Sequence, residues 1–202
     1  MELLAPAGSM EALRAAVCNG ADAVYLGAGT FNARMNARNF SAADLQEAVV
    51  YCHVRGVQVH LTLNTLVTDR EMQKLAGLIA SAARAGVDAF IVQDIGIVPI
   101  LQKYFPDVEL HVSTQASCVN REAVKMYKSM GFKRVVLGRE VTLKEIREIK
   151  DAVPDMELEA FAHGAMCIAY AGRCLMSAYL TARSAQAGAC SHIIDAQFVG
   201  LL

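Results

Sequence analysis

The chain has 202 residues, of which 54% are hydrophobic and 19% are charged, and its formal net charge is −1. This composition predicts one globular, enzyme-like domain with a sizeable core, and it excludes a disordered chain. A net charge near zero gives no overall attraction to nucleic acid or to membranes, so RNA binding would need a local basic patch. No apolar run approaches the ~18–20 residues that span a bilayer.

The first residues, MELLAPAGSME, lack the basic leader and long apolar region of a signal peptide, which predicts a cytoplasmic protein. The chain also carries six cysteines. In a reducing compartment, clustered thiols bind metal or do chemistry more often than they form disulfides.

Short apolar runs alternate with helical patterns along the chain. The predicted strands are Leu3–Pro6, Ala23–Leu26, Val57–Leu63, Ala89–Val92, Leu110–Val112, Arg134–Leu137 and Glu157–Phe161. The predicted helices are one capped by Ser9, one running from Ser41 to Gly56, Asp69–Ala85, a short one ending near Pro106, Asn120–Met130 and Thr142–Ala152.

Seven strands alternating with six helices through short turns predict parallel pairing and an α/β architecture. Their spacing favours a (β/α) TIM-barrel-like fold over an open doubly wound sheet. A closed eight-stranded barrel typically needs about 250 residues, so we expect an incomplete barrel with seven strands and its last unit missing. No GxGxxG follows the first strand and no Walker A sequence is present, so dinucleotide and P-loop sites have little support.

Polar side chains follow the predicted strands, at the end where (β/α) barrels gather their chemistry. They are Asn64, Gln93, Asp94, Ser113, Thr114, Gln115, Arg139, Glu140 and His163, together with Asn32, Arg34, Asn36, Arg38 and Asn39 in the loop after the second strand. Any one of them can simply end a strand or cap a helix, and Thr142 is interpreted as a cap. As a group they favour a polar or anionic ligand held by Arg34, Arg38 and Arg139.

The segment from Glu157 to Cys190 concentrates three cysteines, Cys167, Cys174 and Cys190. Thiolates select zinc or iron–sulfur clusters, although this spacing matches neither a CxxC zinc pair nor the ferredoxin pattern. The alternative for any cysteine is a small buried apolar side chain, which we expect for Cys18, Cys52 and Cys118.

The string EAFAHGAMCIAYAGRCLMS resembles the hallmark of peptidase family U32, the collagenase-like peptidases. The segments ELLAPAG, ADAVYLG, FNARMNARNF, HVSTQA and RVVLGRE are similar to that family as well, so the resemblance covers residues 1 to about 190. It is most similar to the tRNA- and rRNA-hydroxylating branch.

The resemblance implies a barrel-like catalytic domain whose cysteines hold a [4Fe–4S] cluster. It implies oxygen insertion, which relatives carry out on tRNA or rRNA bases and on ubiquinone precursors, and for the tRNA branch a small anionic co-substrate such as prephenate. Carried over by position, Cys167, Cys174 and Cys190 are the first three cluster ligands, and the fourth has no identifiable counterpart. On this basis the predicted catalytic residues are His163, Arg139 and Glu140. The predicted substrate-binding residues are Asn32, Arg34, Arg38, Asn64, Gln115 and Arg173.

The sequence departs from the family after Cys190, where relatives continue with another cysteine and a basic–aromatic run. Here it reads SHIIDAQFVGLL, which predicts a U32-type barrel domain over 1–190 and an atypical tail over 191–202, with truncation as the expected cause. His192 or Asp195 are further possible ligands in that tail.

Two other functions remain open from the sequence. A U32-type peptidase would use Cys167 and His163 as its nucleophile and base, although neither HExxH nor GxSxG occurs. A zinc-binding or inactive fragment is the third interpretation.

Overall fold

The computed structural model describes residues 1–29, 31–33, 39–164, 167, 169–176 and 179. The strands are β1 (Leu4–Pro6), β2 (Ala23–Leu26), β3 (Gln58–Leu63), β4 (Ala89–Val92), β5 (Glu109–Val112), β6 (Arg134–Val136) and β7 (Glu157–Glu159). The helices are α1 (Met10–Cys18), α2 (Ala42–His53), α3 (Met72–Ala85), α4 (Val98–Tyr104), α5 (Arg121–Ser129) and α6 (Leu143–Ala152). None of these helices has the length and apolar character needed to span a bilayer.

The seven strands form one parallel sheet in chain order, from β1 at one edge to β7 at the other. This confirms the predicted (β/α) architecture, and each predicted strand is present with its ends displaced by a residue or two at most. Glu2, next to β1, contacts Arg134 of β6. Strands five positions apart in a flat sheet would be separated by roughly 24 Å, so this contact requires a strongly curved, barrel-like sheet.

Side-chain caps fix where the helices begin, as the sequence predicts. Ser41 accepts a hydrogen bond from the amide of Asp44, while the Asp44 carboxylate accepts one from the amide of Ser41. Thr142 forms the same reciprocal pair with Glu145, which confirms its interpretation as a cap. At the other end of α3, Gly86 adopts φ +88°, a conformation that disfavours any residue with a Cβ.

The two faces of the sheet differ sharply in chemistry. The outward face packs against the helices and is apolar; its buried residues include Val24, Leu26, Val59, Leu61, Phe90, Val92, Leu110, Val112 and Val135. The inward face alternates with it and carries small or polar residues, among them His60, Thr62, His111, Ser113 and Arg134, all of which are buried. Barrel interiors are usually filled by Val, Ile and Leu, so this interior is unusually polar.

Arg134 organises the floor of this interior, at the N-terminal ends of the strands. Its Nη1 and Nη2 donate to the two carboxylate oxygens of Glu2 at 2.5 and 2.8 Å, and its Nε and Nη2 both donate to Glu157 Oε2, at 3.0 and 2.8 Å. Glu159 lies 3.5 Å away. The hydrogen bonds from Arg134 hold the pKa of Glu2 below its usual range, whereas burial raises the pKa of Glu159. One guanidinium therefore ties β6, β7 and the start of β1 together.

Two buried histidines lie in the same interior. The rings of His60 and His111 meet edge to face with their centroids 4.8 Å apart. Their Nε2 atoms lie 3.4 Å from Gln58 Oε1 and 3.3 Å from Glu109 Oε2, and both Nδ1 atoms are buried without a partner in the described part of the chain. Burial, helped by the positive charge of Arg134, lowers the pKa of each ring to about 4. Both imidazoles are therefore neutral at pH 7.

Replacing Arg134 tests its role in curving the sheet. Arg134→Met removes the guanidinium that the carboxylates of Glu2, Glu157 and Glu159 share. We expect the free energy of unfolding in urea to fall by about 2–4 kcal/mol, since breaking a buried ion pair costs more than breaking an exposed one. The control is Arg14→Met, which removes an exposed ion pair with Glu47. Equal effects of the two substitutions would contradict the assigned role.

Acid should destabilise the fold through the two histidines. Their pKa is about 4 in the folded chain and near 6.5 when unfolded, so the unfolded state binds more protons between these values. Stability should be fully present above pH 6.5 and should fall as the pH drops towards 4, by up to about 3 kcal/mol for each ring. Urea titrations across this range should show a shallower dependence for His111→Gln than for the wild type. Parallel pH profiles would show that His111 does not contribute.

Candidate functional site

The C-terminal ends of the strands gather most of the residues predicted for the site. Asn64 follows β3, Gln115 lies in a short 3₁₀ turn after β5, Arg139 and Glu140 follow β6, and His163 follows β7. Because all strands are parallel, these positions share one end of the curved sheet. Arg34, Arg38 and Cys190, like the tail 191–202 with His192 and Asp195, lie outside the described residues.

The predicted ligands Asn32 and Asn64 hold the loop that follows β2. Asn32 is 2% exposed, and its Nδ2 donates to Gly29 O at 3.2 Å and to Asn39 Oδ1 at 2.9 Å. Asn64 Oδ1 accepts a hydrogen bond from the amide of Ala33 at 2.9 Å. Asn32 therefore links the Gly29 backbone to the Asn39 side chain, and Asn64 holds the backbone at Ala33.

The turn after β5 anchors the cysteine-bearing loop, which follows β7 and of which residues 169–176 include Cys174. Ser117, which has φ +55°, donates a hydrogen bond from its Oγ to the carbonyl oxygen of Ala171. Gly172, at φ +73°, packs against the carbonyl of Gln115, and a Cβ there would collide with that oxygen. These two contacts dock the loop that presents Arg173 and Cys174 onto the strand ends.

Arg139 and His163 lie at the mouth of the barrel. The Arg139 guanidinium carbon is 5.4 Å from the centroid of the Phe161 ring, a cation–π contact across the ends of β6 and β7. Arg139 is half-buried, whereas Glu140 and His163 are exposed. Within the described residues, no hydrogen bond joins His163 to Arg139, Glu140 or Cys167. The structure thus brings these side chains to one end without linking them into a dyad.

The cysteines fall into two groups. Cys52 and Cys118 are buried as expected, and burial raises the pKa of each thiol to about 11. Cys18 is exposed, so its interpretation as a buried apolar residue is wrong: it lies on the last turn of α1 away from the core.

Cys167 and Cys174 are free thiols, exposed and half-buried respectively. No group of three potential metal ligands forms among the described residues, which do not include Cys190. Two accessible thiols on one loop are the donor type that an iron–sulfur cluster requires.

Sequence reasoning did not assign the contact residues that shape the site. Gln93 was recognised as a polar strand end, yet the structure gives it a specific role, since its Nε2 donates to Gln115 O at 3.3 Å. Ser117 was missed, because an isolated serine in a turn carries no distinguishing pattern. Asp94 is structural: its two oxygens accept hydrogen bonds from the amides of Gly96 and Val67.

The pattern of peptidase family U32 matches residues 8–199. The chain belongs to peptidase family U32. It is 43% identical over 189 residues to tRNA hydroxylation protein P1 of Bacillus subtilis, covering 94% of this chain and 44% of that protein. It is 44% identical over 191 residues to the 23S rRNA 5-hydroxycytidine synthase of Escherichia coli, covering 95% of this chain and 28% of that protein.

The family also includes a relative with a different name. Collagenase of Porphyromonas gingivalis is 34% identical over 203 residues, covering 95% of this U32 chain and 48% of that protein. The chain therefore spans less than half the length of each of these three curated relatives.

Solved structures agree with the barrel-like fold. The U32 peptidase Mk0906 superimposes with a TM-score of 0.67 at 17% identity, covering 79% of this chain and 68% of that one. An aldolase, QR15, gives a TM-score of 0.52 at 14% identity, covering 78% of this chain and 77% of that one. At these identities the likeness shows the fold alone.

Adding one methyl group at Gly172 should undock the cysteine-bearing loop. Gly172→Ala places a Cβ against the Gln115 carbonyl and strains a backbone at φ +73°. We expect the half-buried Cys174 thiol to react faster with a thiol reagent, as measured by mass-spectrometric mapping of the labelled cysteines.

Gly77→Ala is the matched control, because Gly77 lies in helix α3 with open space around it. It should leave the labelling rate of Cys174 unchanged. An unchanged rate in Gly172→Ala as well would show that the contact does not hold the loop.

Proposed function

We propose that this chain is part of an enzyme that hydroxylates a base of transfer or ribosomal RNA. The observation that carries the proposal is the docked loop: Ala171 and Gly172, which precede Cys174, contact the turn after β5 in a barrel related to two RNA hydroxylation proteins. Among the described residues, the same end of the barrel carries Asn32, Asn64, Gln115 and Arg173, which are predicted to bind the substrate.

Two arginines at the mouth support an anionic co-substrate. Arg139 and Arg173 form no ion pair within the described part of the chain, and guanidinium groups bind carboxylate and phosphate through paired hydrogen bonds. Arg34 and Arg38, which lie outside the described residues, are proposed to add to this binding site. A small dicarboxylate such as prephenate, expected from the family resemblance, fits this chemistry.

The cysteines are proposed to hold a [4Fe–4S] cluster through Cys167, Cys174 and Cys190, with a fourth ligand still to be identified. When bound, the cluster supplies the electron-transfer chemistry that oxygen insertion requires. The chain itself positions the reactants: Ser117 and Gln115 hold the loop, and the arginines bind the anion. His163 and Glu140, exposed at the mouth, are the proposed groups for moving protons.

The alternative is a peptidase, and it draws on the collagenase relative. Cys167 and His163 are both exposed and share no hydrogen bond in the described structure, so the residues give this function little support. Cleavage of gelatin by metal-free protein, lost in Cys167→Ala, would favour it. Zinc at unit stoichiometry without iron uptake would instead favour a zinc-binding module.

Replacing one proposed ligand tests the function. Protein purified without oxygen and reconstituted with iron and sulfide should show a broad visible absorption and bound iron. Cys174→Ser should lose the bound iron and also the hydroxylated base, as detected by mass spectrometry of nucleosides from the treated RNA. The control is Cys18→Ser, which removes an exposed thiol on α1. Full iron content and product in Cys174→Ser would contradict the proposal.

A further inference from the structure

Gln93 has one half of its side-chain amide fixed and the other half without a partner. Its Nε2 donates to the backbone oxygen of Gln115 at 3.3 Å, while its Oε1 is buried and accepts no hydrogen bond in the described structure. The side-chain amide cannot be flipped by 180°, because its oxygen would then face the backbone oxygen of Gln115. The unpartnered atom is therefore a hydrogen-bond acceptor.

Gln93 directly follows β4, at the end of the strands where the candidate site lies. Every second residue of β4 faces the barrel interior, as Ala89 and Ile91 do, and Gln93 continues this series. Just above it lies the docked loop, since a Cβ on Gly172 would stand 3.0 Å from Gln93 Nε2. The acceptor thus lies beneath the loop that carries Arg173 and Cys174.

Three buried polar atoms lack a partner among the described residues, and Gln93 Oε1 is the one nearest the mouth. The other two are Nδ1 of His60 and Nδ1 of His111. The strand register aligns His111 with Ile91 and His60 with Ala89. These positions come two and four residues before Gln93 along β4, so both histidines lie deeper in the interior. Of these three atoms, Gln93 Oε1 therefore lies closest to the C-terminal ends of the strands, where the candidate site is.

We propose that Gln93 Oε1 accepts a hydrogen bond from an N–H group on the edge of the nucleobase that enters the barrel. This inference rests on the proposed RNA hydroxylation and specifies how the base is read. A buried acceptor is stable when a donor meets it, and a base brought in from water must replace the hydrogen bonds of its own N–H groups.

The chemistry of the acceptor selects the part of the base that it contacts. The N3–H of uracil and the exocyclic amine of cytosine are both donors on the pairing edge, which an unstacked base exposes. Methyl groups on these nitrogens remove the donor. Gln93 is therefore a specificity-determining residue, separate from the groups that carry the chemistry.

The test measures binding of stem–loop RNAs that present one unpaired uridine or cytidine. Each is compared with the same RNA carrying 3-methyluridine or N4,N4-dimethylcytidine, so the two arms separate the ring N–H from the exocyclic amine. Wild-type protein should bind the methylated RNA roughly 10- to 100-fold more weakly in one arm. Gln93→Met should bind the unmethylated RNA about as weakly, with little further loss on methylation.

Gln102→Met is the matched control. Gln102 also donates its side-chain amide to a backbone oxygen, that of Met130 at 2.6 Å, but it lies on α4 and is exposed. This variant should keep the wild-type ratio between unmethylated and methylated RNA. The wild-type comparison needs no substitution, so it does not depend on whether Gln93→Met folds.

Three results would overturn the inference. Equal wild-type binding of methylated and unmethylated RNA in both arms would show that bound water satisfies Gln93. An unchanged ratio in Gln93→Met would place the recognition elsewhere. In either case hydroxylation of RNA by the wild type would leave the proposed function intact, whereas a wild-type protein that neither binds nor hydroxylates RNA removes both.

Discussion

The ion-pair cluster around Arg134 is the interaction on which the shape of this molecule depends. A parallel sheet of seven strands with one apolar face could remain open, covered by helices on that face alone. Here the second face carries charge, and Arg134 on β6 joins Glu157 on β7 to Glu2 at the start of β1. The cluster draws the two edges of the sheet towards each other at the floor of the interior. As a result, the opposite ends of the strands converge on a single mouth.

The polar interior agrees with the proposal that the mouth binds a polar ligand. His60, His111 and Gln93 all bear buried acceptors on the inward face, where barrels usually carry aliphatic side chains. An interior of that kind offers less stabilisation from apolar burial than a packed one. The stability of the chain must therefore come largely from the outward face, where the aliphatic residues of the strands pack on the helices.

The docked loop connects this architecture to the chemistry. Gly172 allows the chain to approach the Gln115 carbonyl, and Ser117 fixes the neighbouring backbone. Through these contacts, Arg173 and Cys174 are positioned relative to a rigid strand end. Membership of family U32 identifies the proteins to which this barrel is related. The contacts between the loop and the strand ends explain how a site can form on the barrel.

Much of the fold could be predicted from the sequence because its signals are local. Alternating apolar runs gave all seven strands, and the Ser41 and Thr142 caps marked two helix starts. The polar interior could not be predicted in the same way. Arg134 stands at the beginning of an apolar run, and its partner Glu2 is 132 positions away, so no local pattern connects them.

The candidate site was predictable as a region more than as a set of roles. The strand-end rule placed Asn64, Gln115 and Arg139 at one end of the barrel, as found. Asn32 is predicted to bind substrate, and the sequence could not show that its side-chain amide also donates to Gly29 and Asn39 of its own loop. Residue types indicate that chemistry is possible, whereas the direction of a side chain depends on long-range contacts.

The proposed function, action on RNA bases, is tested most directly by offering one preparation two substrates. Reconstituted protein is given unmodified RNA with its anionic co-substrate and, in parallel, gelatin. Nucleoside mass spectrometry should reveal a base with one added oxygen atom, while the gelatin stays intact. Cleaved gelatin with unchanged RNA would contradict the account and assign the barrel to peptide hydrolysis.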